Sequence, residues 1–414
     1  MFKYKKFSRR ELFFSLMGTS AIASIFAANH KLLGDISNQR RHQFQIFESN
    51  ERNFSRKNDP GLKSKAAAQG LIYGAFPEAS AEKTAQDLQF QSHFIQECAL
   101  IAAGDVWGSI CPEPNQFKFT NIDYFAQFAA DNNLVFKLDV AVWHEFLPSW
   151  LMAKFQDRQT TAVEIENILS QMVQTVGRRY ARQAYAWSVV NEVINPSDGR
   201  RDGFRDTQIS DSMQGEKYPT WLHFLDTNFV DLAFRAAAEV APQTTLLYND
   251  FALEYDTAQD ESKRHAVLTL LEKLKSQGTP IHALGIQAHL NASMNPRFNQ
   301  NKYRQFLSDV ASLGLKIQIT ELDVADKWLP NNMELATRDL LVAEAYYDFL
   351  EVALDEPAVD TVVTWGLSDR YTWLSWFAPR EDDVTVRPLP LDEQLNRKLA
   401  WNAIAEALEN APKR

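Results

Sequence analysis

Ala184-Tyr185-Ala186-Trp187-Ser188-Val189-Val190-Asn191-Glu192 is a mostly apolar run that ends abruptly on an amide and a carboxylate. Its length and valines suit a strand buried on both faces, and the polar end suits a strand tip that opens onto a cleft. Lys316-Ile317-Gln318-Ile319-Thr320-Glu321-Leu322 repeats the pattern with a second acid near its end. Working outward, runs of the same kind are Leu71 to Phe76, Ala99 to Ala103, Leu134 to Val142, Thr245 to Asn249, Ala283 to His289 and Val359 to Gly366. Between them, Ile165 to Tyr180, Leu222 to Val240, His265 to Gln277, Tyr303 to Leu313 and Met333 to Leu354 carry apolar residues at helical spacing. Eight strands alternating with helices over about 340 residues predict an α/β fold, a single (β/α)8 TIM barrel with its site at the C-terminal ends of the strands. A doubly wound sheet would alternate in the same way, but it would want a glycine fingerprint after a strand, which the sequence lacks.

The chain has 414 residues, of which 45% are hydrophobic and 23% charged, a composition that excludes disordered and collagen-like chains. Its formal net charge of −10 is the wrong sign for a nucleic-acid binder. The first 65 residues hold 13 basic and 5 acidic side chains, leaving 30 basic against 48 acidic beyond them. A basic leader therefore precedes an acidic body suited to neutral ligands. Lys3, Lys5, Lys6, Arg9 and Arg10 precede the apolar stretch Leu12 to Ala28, and Ser8-Arg9-Arg10-Glu11-Leu12-Phe13 resembles a twin-arginine export motif. Residues 1–28 read as an export signal, 29–64 as a polar arm or linker, and 65–414 as the barrel domain. The leader is too weakly apolar for a stable membrane span after processing. The expected product is an exported monomer, periplasmic or extracellular. Cys98 and Cys111 allow at most one bridge and read as two buried thiols. No zinc, calcium or phosphate-loop motif is present, so neither metal nor cofactor is expected.

A polar residue at the end of an apolar barrel strand faces the catalytic mouth, and Glu192 and Glu321 both stand there. Two carboxylates on different strands are what glycoside hydrolysis needs, one as proton donor and one acting on the anomeric carbon. In this context Trp187 to Glu192 resembles the acid/base motif of glycoside hydrolase family 10, the retaining endo-1,4-β-xylanase family. Ile319-Thr320-Glu321-Leu322-Asp323 resembles its nucleophile motif. Val142-Trp143-His144, Leu147-Pro148-Ser149-Trp150-Leu151, Tyr248-Asn249-Asp250-Phe251, Gly285-Ile286-Gln287-Ala288-His289 and Thr364-Trp365-Gly366-Leu367-Ser368-Asp369 agree in order.

The resemblance implies Glu192 as acid/base, with a pKa raised by burial or by Glu321, and Glu321 as nucleophile. It further implies that His289, with Gln287 on the same strand face, orients Glu321, and that Asp323 holds His289. Asn191 would bind the sugar 2-hydroxyl, His144 would support the site, and Trp143, Trp365 and Trp373 would wall the subsite of the reacting sugar. Departures accompany the matches. Where the family carries Glu, Asn and Lys for the sugar next but one to the cleavage point, this chain has Ala102, Ala103 and Val106, with Asp105 nearby as a partial replacement. The family's His before the Trp-His pair is Asp139, which would add negative charge beside the two glutamates and shift the pH optimum.

The expected function is endo-1,4-β-xylanase, acting on xylan by a retaining mechanism. The alternatives are a retaining hydrolase of another β-linked polysaccharide and an exported glycan-binding protein with weak catalysis.

Overall fold

The computed structural model describes Phe54 and residues 60–414, apart from 140, 206–207, 210–216 and 294–295. The expected export signal and most of the polar arm lie outside the described residues. Among those described, eight parallel strands form the barrel: β1 Ile72–Ala75, β2 Leu100–Gly104, β3 Val135–Asp139, β4 Ala184–Asn191, β5 Thr245–Asp250, β6 Ala283–Ile286, β7 Lys316–Ala325 and β8 Val359–Thr364. Each pairs with its successor, and β8 pairs back to β1 through Ile72↔Thr361 and Ala75↔Thr364, which closes the sheet. The chain is the (β/α)8 barrel that its alternation predicts.

Most of the apolar core lies between the strands and the surrounding helices, where Trp187, Trp401, Phe90, Phe94 and Phe125 are fully enclosed. The barrel interior is narrower and takes small or polar side chains. Ala102, Ala186 and Ala283 fill part of it, and Lys137, Ser188, Gln318 and Thr361 are wholly buried polar residues. Helices start where side chains satisfy the free N–H groups of the first turn. Thr161 accepts from Glu164 N at 3.2 Å ahead of Ala162–Tyr180, and Thr257 accepts from Asp260 N at 3.0 Å ahead of Ala258–Ser276.

Three expectations need correction. The boundary at residue 65 is late: helix Leu62–Ala68 already packs on the barrel, and Phe54 is buried against Tyr347 with ring centroids 5.9 Å apart. The expected strand Ala283 to His289 stops at Ile286, because Ala288 takes a left-handed φ of 61°. Beyond that turn His289–Asn291 re-forms as a separate short strand beside Asp323 to Ala325. The expected helix Leu222 to Val240 is two helices, Trp221–Leu225 and Asn228–Val240, broken at Asp226, where φ is 50°. Cys98 and Cys111 are both free and buried.

Candidate active site

Glu192 follows the last residue of β4 with a left-handed φ of 57°, and its N–H donates to Asn249 O at 2.9 Å. A non-glycine residue in this region carries backbone strain, held here by the bond to the neighbouring strand. The turn presents the Glu192 carboxyl to Asn191, Gln287 and Trp143. Its Oε1 accepts from Asn191 Nδ2 at 3.0 Å and Gln287 Nε2 at 2.9 Å, and its Oε2 accepts from Trp143 Nε1 at 2.9 Å.

Glu321 lies within β7. Asn249 Nδ2 donates to its Oε1 at 2.7 Å, and its Oε2 is 3.3 Å from His289 Nε2. The same Nδ2 donates to Asn191 Oδ1 at 2.9 Å, so one amide of β5 ties the two carboxyls into a single network. Thr320 Oγ1 donates to Asn249 Oδ1 at 2.6 Å and fixes the amide's orientation. Gly285 leaves room for it: a Cβ there would stand 2.3 Å from Asn249 Oδ1. His289 Nδ1 is 3.0 Å from Asp323 Oδ1, and Trp373 Nε1 donates to Asp323 Oδ2 at 2.7 Å.

The two ends of the network differ electrically. Burial pushes the Glu192 carboxyl above the usual carboxylate range; Gln287 and Arg205 oppose this, while Asp250 and Glu321 add to it. Burial alone would lower the His289 pKa, but Asp323 and Glu321 raise it well above the ordinary value. The two acids thus favour the imidazolium, the form in which both ring nitrogens can donate to the carboxylates beside them. Glu254 accepts from Leu253 N at 2.8 Å and Ala288 N at 3.2 Å, which pins the turn that presents His289. Burial pushes its pKa to about 7.

The structure thus brings together Glu192, Glu321, Asn191, Trp143, Gln287, His289, Asp323 and Trp373. Gln287 differs from expectation in its partner: the left-handed turn at Ala288 separates it from His289, and it binds Glu192 rather than joining His289 at Glu321. Trp365 follows β8 with its ring stacked on Phe76 at 4.2 Å, and its centroid is 6.4 Å from that of His289. His144 is buried beside Trp143, with Nε2 3.5 Å from Glu145 Oε1. Its ring packs edge-on to Trp143 at 6.1 Å, and its ring nitrogens have no hydrogen-bond partner among the described residues. Burial, with Arg205 and Lys263, holds it neutral.

Asp139 departs furthest from expectation. It is ion-paired inside the barrel with Lys137 and accepts from Ser188 Oγ at 2.5 Å. Its charge is compensated locally and does not stand free beside the glutamates. Asp105 accepts from the N–H of Val106 at 2.9 Å, a local bond that does not reach the two carboxyls.

Asn249, Glu254 and Arg205, whose Nε donates to Glu192 O at 3.1 Å, are functional neighbours without an expected role. Asn249 and Glu254 carry a detectable signal, because they lie at and just beyond the polar end of an otherwise buried strand.

The sequence profile described as Glycosyl hydrolase family 10 matches residues 61–407. Endo-1,4-beta-xylanase C of Paenibacillus barcinonensis is 29% identical over 370 residues, which are 84% of this chain and 32% of that protein, so the match spans about a third of the relative. Beta-1,4-xylanase of Dictyoglomus thermophilum is 32% identical over 307 residues, covering 71% of this chain and 77% of that one. The crystal structure of native xylanase 10B from Thermotoga maritima superposes with a TM-score of 0.72 at 26% identity, covering 84% of this chain and 98% of that chain.

Proposed function

The chain belongs to glycosyl hydrolase family 10, and from that premise we propose that it is an endo-1,4-β-xylanase that cleaves internal bonds of xylan with retention of configuration. The observation that carries the reading is the single hydrogen-bond network that joins buried Glu192, through Asn191 and Asn249, to Glu321 on another strand.

The chemistry follows from those environments. Glu321 attacks the anomeric carbon as the glycosidic C–O bond breaks, and the Glu192 proton passes to the leaving oxygen. A glycosyl ester on Glu321 results, and esterification removes its negative charge. Glu321 is among the groups that raise the Glu192 pKa, so that pKa then falls. Glu192 is left as the base that takes a proton from water, and the hydroxide formed displaces Glu321 from the same face that the leaving group quit. His289 stabilises the departing carboxylate, and Asn191, hydrogen-bonded to Glu192, would hold the sugar 2-hydroxyl. Trp143, Trp365 and Trp373 offer apolar ring faces to the pyranose.

Reducing-sugar release from xylan, β-glucan and mannan, by the wild-type protein and by Glu321→Ala, tests the assignment. Release from xylan that vanishes in the variant is the expected result. Release from another glycan alone would move the substrate, and no release from any would overturn the reading. Work on a polymer that cannot enter the cell fits export through the Ser8-Arg9-Arg10 leader, and the enzyme would act as a monomer.

Trp143→Phe keeps a ring against the sugar but removes the indole donor to Glu192 Oε2. Losing a donor disfavours the ionised carboxylate, so the Glu192 pKa rises further. The basic limb of kcat/KM, which reports the acid in the free enzyme, should move to higher pH, with a loss of about tenfold in kcat/KM from the missing charge-assisted bond. A basic limb that stays in place or moves down would show that the bond does not tune the acid.

A further inference from the structure

The two positions on β2 where the family resemblance calls for polar sugar contacts leave no gap. Ala102 and Ala103 are 0% and 1% exposed, and Phe76 packs against the interior cluster that contains Ala102. Strand β1 runs parallel to β2 in the register Ala75↔Ile101. Pro77-Glu78-Ala79 therefore leaves the barrel beside Gly104 and Asp105, on the same side of the mouth. Its neighbours fix this short connection. Phe76 N donates to Thr364 O at 2.9 Å, and Ser80 caps helix Ala81–Gln86 by accepting from Lys83 N at 3.3 Å.

Glu78 itself is unusual in three ways. Its φ is 57°, a strained left-handed conformation for a side-chain-bearing residue. Its Oε1 is sealed from solvent with no hydrogen-bond partner among the described residues, although the residue as a whole is only half-buried. The groups within electrostatic reach of its carboxyl are Asp323, His289, Glu321 and the backbone N–H of Trp373, all components of the site built above. Burial, reinforced by Asp323, pushes its pKa well above the carboxylate range, which favours the protonated form, and a protonated carboxyl can both donate and accept. The Trp373 N–H lies within reach of this carboxyl, but Oε1 has no hydrogen-bond partner among the described residues, and a buried acceptor left unmet costs stability. The carboxyl also lies within reach of two other acids, Asp323 and Glu321, and of His289.

We propose that Glu78 is a substrate-binding residue, whose carboxyl hydrogen-bonds a hydroxyl of the β-1,4-linked chain on the non-reducing side of the scissile bond and replaces from β1 the contacts that β2 lacks. The proposal rests on the glycan-hydrolase reading and deepens it. Glu78 would reach the sugar from beside Trp373 and Asp323, on the side of Glu321.

The test compares Glu78→Leu, which keeps the volume and loses the polar head, with Glu78→Gln, which keeps a neutral donor and acceptor. Xylo-oligosaccharide hydrolysis and calorimetric binding in a Glu321→Ala background are both read. Glu78→Leu should lower affinity and kcat/KM by about tenfold or more, the worth of one or two buried hydrogen bonds, with an unchanged or higher melting temperature. Glu78→Gln should recover at least about threefold of that loss. A Glu78→Leu variant that binds and turns over within twofold of its parent, or a Glu78→Gln variant that loses as much as Glu78→Leu, overturns the proposal. Wild-type turnover in the same assay reports separately on the hydrolase reading. If xylan is not cleaved, the binding comparison repeated with cello- and manno-oligosaccharides still decides the role of Glu78.

Discussion

Glu321→Gln is expected to lower kcat on xylan by at least about 10⁴-fold, because the amide can neither form the glycosyl ester nor leave from it. Glu192→Gln is expected to fail differently, and the difference is the stronger test. On xylan the leaving hydroxyl needs a proton, so loss of the acid should also cost several orders of magnitude. An aryl xyloside whose phenol leaves without protonation bypasses that need. Its first step should proceed at close to the normal rate in Glu192→Gln, giving a burst of phenol followed by slow turnover as the ester waits for unactivated water. Azide, which needs no base, should relieve the second step and yield a glycosyl azide of unchanged anomeric configuration. None of these features should appear in Glu321→Gln, where the first step itself is blocked. Stopped-flow release of the phenol, with the anomer assigned by NMR, reads all of it. A burst in Glu321→Gln and none in Glu192→Gln would exchange the two roles, and a variant of either glutamate that kept substantial turnover of xylan would remove it from the mechanism. The melting temperatures of both variants should stay near the parent's, since each substitution preserves shape.

Much of this site is legible in the sequence because barrel strands are buried on both faces, so a carboxylate at the end of such a run has little to do except face the mouth. Glu192, Glu321, His289 and Asp323 follow from that rule together with the family motifs. Relations across the barrel are not legible in the same way. Asn249 joins Asn191 to Glu321 over sequence separations of 58 and 72, which no local pattern reports. Gly285 is an ordinary strand residue by sequence, yet the Asn249 amide lies where its Cβ would be. Gln287 takes Glu192 rather than the expected partner because a single left-handed residue, Ala288, interrupts the strand alternation that would put Gln287 and His289 on one face. Glu78 carries no sequence signal of its own, because only closure of β1 against β8 brings its loop to Trp373 and Asp323.

Asp139 is a counterexample, since its partner is within reach of simple periodicity. Lys137 and Asp139 are two apart on one strand and so share a face, here the barrel interior, where their side chains are 0% and 4% exposed. Ser188 of β4 completes the cluster, with Lys137 Nζ donating to its Oγ at 3.0 Å. Lys137→Met should therefore be costly: it removes the cation and leaves a carboxylate that accepts from Ser188, with an Oδ2 that already lacks a partner among the described residues. Breaking a buried pair in this way costs about 3–5 kcal/mol, which for a domain of this size lowers the melting temperature by about 4–7 °C. The double variant Lys137→Met with Asp139→Leu removes both charges and should regain most of that loss, because paired removal of buried ions is often near neutral. Thermal unfolding of the two single variants and the double variant closes the cycle, and a double-variant loss equal to the sum of the two single losses would show that the pair contributes nothing as a pair. The same geometry changes what Asp139→His can report. With its charge already balanced by Lys137, Asp139 has no free field to impose on the glutamates. Imidazole in its place would leave the ammonium without its counter-charge, so the substitution should lower the melting temperature while the pH profile of kcat/KM stays close to that of the parent. A profile that moved while stability held would mean that the Asp139 charge reaches the reacting sugar after all, past the lysine that shares its strand face.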